Sequence, residues 1–181
     1  VVPGQPAPLL MGHSLNGQQV NLVADIGGFP GARIDQNLVN AWGIAISPNG
    51  NFWVSANGTS LSVIYDKNGN QKHDPVAIPA PGSATGGTPS GVIFNSTDEF
   101  IIPGTGSKSR FIFATEDGII AAWSSGNSAL IAADRSSFDA VYKGVAMASV
   151  GHHSFLYATN FHVGTIDVFD SHFTFVSSER F

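Results

Sequence analysis

A chain of 181 residues with 43 % apolar residues can bury one ordinary core, and its 21 Gly and 10 Pro mark it as turn-rich rather than disordered. Charged residues are only 12 %, the formal charge is -5, and the eight Lys and Arg are scattered, so no basic stripe exists to meet nucleic acid. No apolar run is long enough to span a bilayer, and the absence of cysteine removes disulfides, thiolate metal sites and Cys nucleophiles together.

From the start of the chain, Val1-Val2-Pro3-Gly4 reads as the opening of a processed polypeptide. With the low charge density, this makes a secreted, extracellular or periplasmic location the expectation. Residues 1–36 form an N-terminal segment able to supply a strand that closes a blade. Helical periodicity is nearly missing; Asp35 to Trp42 offers at most one turn. Beyond it, short β-rich runs alternate with clusters of Gly, Asn, Asp and Ser, the spacing of an antiparallel sandwich, barrel or propeller.

Three segments decide between these. Asn51-Phe52-Trp53-Val54-Ser55-Ala56-Asn57-Gly58 continues through Ser62 to Asp66. Phe111-Ile112-Phe113-Ala114-Thr115-Glu116-Asp117-Gly118 continues through Ala122 to Ser124, and Phe155-Leu156-Tyr157-Ala158-Thr159-Asn160-Phe161-His162 through Thr165 to Asp170. Each is an aromatic-rich strand, a polar turn, and a second strand closed by an aromatic residue: Tyr65, Trp123 or Phe169. Each follows a short strand with a glycine, Gly43, Gly91 or Gly144, and precedes a fourth run at Val76–Ile78, Ala129–Ala132 or Phe175–Ser177. Four strands per unit at this period predict an all-β fold, a β-propeller with about three blades: 37–80, 81–134 and 135–181. A closed ring needs at least four blades, so three leave two open edges. The remainder lies on a companion chain, or a second copy of the chain closes the ring, or the sequence is a fragment of a longer protein; pairing with a second copy or a companion chain is the expectation.

The same stretches, with Asn37 to Ala45, resemble a family of exported β-propeller proteins of unassigned activity. Its members occur beside PEP-CTERM sorting systems in bacteria, with relatives in plants and fungi. The resemblance runs from about Asn21 to Asp170. It implies an extracellular propeller distantly similar to NHL-repeat and SMP-30-like proteins, about six blades in all, of which this chain holds half. It supplies no catalytic residues.

The turns after the second strand of each unit should lie together at one mouth of the central channel. They offer Asn57, Glu116 with Asp117, and Asn160 with His162 as a ligand-binding set. Oxygen donors with one imidazole suit Ca²⁺ or another divalent cation, with Glu116 and His162 as metal ligands. The competing explanation is that Asn, Asp and Gly are simply what β-turns require. Two sequons, at Asn57 and Asn95, are candidate glycosylation sites. His152-His153 reads as a solvated loop, and His13, His73 and His172 as surface residues. Trp42, Trp53 and Trp123 are expected in blade-to-blade packing rather than on a carbohydrate platform. No serine-nucleophile motif is present, and Gly82 to Thr88 reads as an inter-blade linker. The chain therefore reads first as a binding scaffold for a protein or glycan, and second as an SMP-30-like metal-dependent hydrolase or lyase.

Overall fold

A computed structural model of the chain describes residues 19–180; His13 and the first half of the 1–36 segment lie outside them. Three four-stranded antiparallel sheets follow one another, each a meander in which sequence neighbours pair. Blade 1 holds β1 (Ala41–Ile46), β2 (Phe52–Ala56), β3 (Leu61–Tyr65) and β4 (Val76–Ala77). Blade 2 holds β5 (Pro89–Phe94), β6 (Phe111–Thr115), β7 (Ile119–Trp123) and β8 (Leu130–Asp134). Blade 3 holds β9 (Tyr142–Val150), β10 (His153–Asn160), β11 (Thr165–Phe169) and β12 (Phe175–Arg180). The chain is thus a β-propeller segment, as its repeats predict. Tyr65, Trp123 and Phe169 each end the third strand of their blade, paired with Phe52, Phe111 and Leu156.

Burial explains the sequence of each blade. Successive side chains of a strand point to opposite faces, so a sheet covered on both faces must be apolar throughout. Blade 2 lies between the other two, and β6 and β7 are buried at every residue. Phe111, Phe113, Ile119 and Trp123 face blade 1, meeting Trp53, Ile64 and Val76. Ile112, Ala114, Ile120 and Ala122 face blade 3, meeting Tyr142, Leu156, Ala158 and Phe169. Trp53 stacks on Phe111 at 3.9 Å between ring centroids, with Trp123 at 4.6 Å. In blade 3, covered on one face only among the described residues, β10 alternates buried and less buried positions along most of its length.

The innermost strands, β1, β5 and β9, approach most closely at the glycines. A Cβ on Gly43 would stand 2.5 Å from the Ser90 carbonyl oxygen, and one on Gly91 2.7 Å from the Val145 nitrogen. Real Cβ atoms do not come that near backbone, so these two positions require glycine. Gly144 holds the matching place in blade 3, yet a Cβ there would meet only the Thr159 Oγ1, at 3.5 Å. The opposite side of the array is also open. Ile44, one residue after Gly43, is 62 % exposed, whereas Val92, one residue after Gly91, is 6 % exposed. Residues 25–40 cover part of this face: Leu38, with Val23, packs on Ala56, Val63 and Tyr65, and Tyr65 OH donates to Asp35 Oδ2 at 2.8 Å. Burial, then the Asp35 carboxylate, push the Tyr65 hydroxyl well above its ordinary pKa.

In the 1–36 segment, Val23–Ala24 and Arg33–Ile34 pair with each other in parallel. The segment between β4 and β5 forms a ribbon, Pro79–Ala80 against Ser83–Gly86. The β5–β6 connection carries Phe100 and Ile102 into the core between blades 2 and 3.

Candidate functional site

In a meander blade, the turn after the second strand and the start of the first strand lie at one end, here called the mouth end. Residues from all three blades meet there in a closed ring of contacts. Trp42 Nε1 donates to Asn40 Oδ1 at 3.1 Å, and Asn40 Nδ2 donates to Asn57 Oδ1 at 3.1 Å. Asn57 Nδ2 donates to Glu116 Oε2 at 2.8 Å, and Lys143 Nζ donates to Glu116 Oε1 in an ion pair. The Lys143 ammonium also lies 4.7 Å from the centre of the Trp42 ring, which closes the circle. Both Glu116 and Lys143 are about one-quarter exposed, so their pairing is only partly screened by water.

A second polar centre lies inside blade 3. The Asp167 carboxylate is buried and takes four donors. Tyr142 OH reaches Oδ2 at 2.9 Å and Asn160 Nδ2 reaches the same oxygen at 3.2 Å. Thr165 Oγ1 and Ser178 Oγ reach Oδ1 at 3.1 and 2.6 Å. Burial, followed by the Asp167 charge, pushes the Tyr142 hydroxyl far above its usual range.

The five residues expected at the mouth are therefore divided. Asn57 and Glu116 meet directly. Asp117 turns to the chain entering β5, accepting from Thr88 N and Oγ1 at 2.6 and 2.8 Å. Asn160 is buried, its Oδ1 accepting from Val141 N at 3.1 Å and its Nδ2 facing Asp167. His162 stands exposed on the β10–β11 turn. Glu116 is held by an amide and an ammonium, and no group of three His, Cys, Asp or Glu among the described residues is placed to hold a metal ion.

The second sequon needs correction as a glycan site. Asn95 is 2 % exposed, and its Nδ2, the atom a sugar would occupy, donates to Glu99 O and Ser109 O at 3.0 Å each. Trp53 and Trp123 are packed between blades as expected, whereas Trp42 is 46 % exposed at the mouth. His73 is half-buried beside Trp53 and Trp123 rather than a free surface residue.

Sequence reasoning missed Lys143, Asn40 and Asp167. The signal for Lys143 is positional: it precedes Gly144 as Trp42 precedes Gly43 and Ser90 precedes Gly91. Trp42 and Lys143 reach the mouth ring from this place, whereas Ser90 is buried there and donates to Tyr142 O at 2.7 Å across blades.

No family model and no curated protein matches this chain. Solved structures do. Selenomethionine-substituted virginiamycin B lyase from Staphylococcus aureus, itself a β-propeller, superposes with a TM-score of 0.57 at 13 % sequence identity. The match covers 78 % of this chain and 41 % of that one. The likeness shows the fold: this chain is similar to somewhat less than half of a propeller.

Proposed function

We propose that the chain is part of a larger, secreted β-propeller that acts as a binding scaffold. The observation that carries this reading is the closed ring at the mouth, where Glu116 is engaged by Asn57 and Lys143. A carboxylate that neutralises a lysine across two blades suits a structural clasp. The competing reading, an SMP-30-like metal-dependent hydrolase or lyase, needs Glu116 to give up that lysine and to join His162 around a divalent cation. Calorimetric titration with Ca²⁺ and with Mg²⁺ separates the two. The scaffold reading expects no saturable heat. Saturable binding that disappears in Glu116→Gln and in His162→Ala would replace it with the metalloenzyme.

Completion of the ring is proposed from the open faces. Gly144 repeats the spacing that lets Gly43 and Gly91 receive a neighbouring inner strand, and Ile44 stands uncovered where Val92 is covered. Both features fit a further blade on each side, supplied by a second copy of the chain. Light scattering should give a mass above the 18.9 kDa of one chain, returning to 18.9 kDa in Gly144→Ala. A monomer at every concentration, or an assembly that ignores Gly144→Ala, would contradict this. Secretion is checked by whether the full-length protein collects outside its source cells.

A further inference from the structure

The end of the blades opposite the mouth carries a different kind of site. There the β1–β2 turn, the β3–β4 connection and the start of β6 surround a cleft of about 200 Å³ between blades 1 and 2. Its inner wall is the aromatic stack of Trp53, Phe111 and Trp123. The His73 ring stands edge-on to Trp123, with centroids 5.8 Å apart. The Arg110 guanidinium lies 5.7 Å from the Trp123 ring. Lys72 and the amide residue Asn51 also line it.

Cationic groups gather at this cleft, and Arg110 also borders the adjoining one beside Lys108. The whole chain has 13 acidic residues against eight Lys and Arg, yet no Asp or Glu lines the cleft, while Arg110, Lys72 and His73 all do. Among the described residues, neither Arg110 nor Lys72 forms an ion pair. Asp66, whose charge Lys72 feels, is committed to its own turn, accepting from Asn68 N at 2.8 Å and Asn70 N at 2.9 Å. The main chain of Arg110 is fixed by both neighbours: its N–H donates to Trp123 O at 2.7 Å, and its carbonyl accepts from Asn95 N at 2.9 Å. Its backbone is thus fixed at the lip of the cleft, while its head group has no acidic partner among the described residues.

We infer that this cleft binds a compact oxyanion group, a carboxylate or a sulfate or phosphate ester, held by Arg110 and Lys72 against the Trp53–Trp123 wall. A guanidinium offers paired N–H donors matched to such an oxyanion, and the low-dielectric aromatic floor strengthens the attraction. The site lies at the other end of the blades from Glu116, so it stands or falls independently of the scaffold reading.

The test uses Trp42→Phe protein excited at the red edge of the indole band, beyond tyrosine absorption, so that only Trp53 and Trp123 emit. Sodium sulfate, phosphate and acetate are titrated at constant ionic strength against chloride. Emission is followed together with the NMR signal of the Trp123 indole N–H, which is bonded to Gly126 O at 2.8 Å. At least one of the three anions should give a saturable change that chloride does not. Arg110→Gln should weaken it about tenfold or more, the loss expected for one charge-assisted contact. A preference for sulfate or phosphate identifies a tetrahedral ester as the natural group, and a preference for acetate a carboxylate. Absence of saturation with all three anions by both signals, or equal affinity in Arg110→Gln, would overturn the assignment.

Discussion

The two ends of these blades treat charge in opposite ways. At the mouth, Glu116 meets Lys143 and Asn57, and Asn57 in turn meets Asn40, so three blades are joined by mutually satisfied polar groups. At the far end, Arg110 and Lys72 border a cleft with an aromatic floor and no acidic lining. Polar residues on turns thus serve two purposes in one fold. Where partners from neighbouring blades converge they hold the ring in register, and where like charges converge without a counter-ion they leave an attraction for something else.

That contrast can be broken most severely at Asp167. Replacing it by Ala leaves the buried Tyr142 hydroxyl and the Asn160 amide without their shared acceptor. Urea unfolding should show a loss of about 3 kcal/mol or more, since several buried donors are orphaned at once. A loss below about 1 kcal/mol would mean that water replaces the carboxylate, and that the mouth end is looser than described.

A smaller effect is expected at the clasp itself. Lys143→Met removes the ammonium from both Glu116 and the face of Trp42. The pair is partly exposed, so the expected loss is about 1 kcal/mol, reduced further in high salt. No salt dependence of the difference would argue against an ion pair at this position.

The pH dependence follows from the two buried tyrosines. Tyr65 and Tyr142 have raised folded-state pKa values, so above about pH 10, the ordinary tyrosine range, the unfolded chain releases protons that the folded chain retains. Their contribution is intact below that pH and is lost as pH climbs beyond it. Thermal melting should be unaffected by these groups near neutrality and fall steeply above pH 10. A Tyr65→Phe, Tyr142→Phe pair should flatten that fall. The same steepness in the double variant would place its origin elsewhere.

The least effect on stability is expected at the far end. Arg110→Gln should change the unfolding free energy by less than about 0.5 kcal/mol, because its head group is exposed and unpaired. A larger loss would show that Arg110 is part of the packing between blades rather than the lip of an open cleft.

Much of the fold is legible in the sequence because propeller blades repeat. Tyr65, Trp123 and Phe169, each closing a third strand, and Gly43, Gly91 and Gly144, each opening a blade, fall where the repeats put them. The candidate site is less legible. The turns carrying Asn57 and Glu116 do come together, but Asp117 and Asn160 find partners within a few strands of themselves, which turn chemistry alone does not foretell. Lys143 sits on an inner strand, where turn chemistry gives no signal for it. The far-end cleft is invisible to a one-dimensional reading, since Trp53, His73, Arg110 and Trp123 come from four separated stretches joined only by blade stacking. The β5–β6 excursion that buries Phe100 and Ile102 stretches the second repeat and has no counterpart in the other two.

Stacking of inner strands through glycine is the claim on which both ends depend. It is tested most directly by comparing Gly91→Ala with Gly144→Ala in chemical denaturation at dilutions where light scattering gives the mass of one chain, so that loss of assembly does not enter the midpoint. A methyl group at Gly91 is driven into the backbone at Val145 and should cost about 2 kcal/mol, whereas the same change at Gly144 meets only Thr159 and should leave the midpoint nearly unchanged. Equal losses at the two positions, or none at Gly91, would contradict the stacked-blade arrangement.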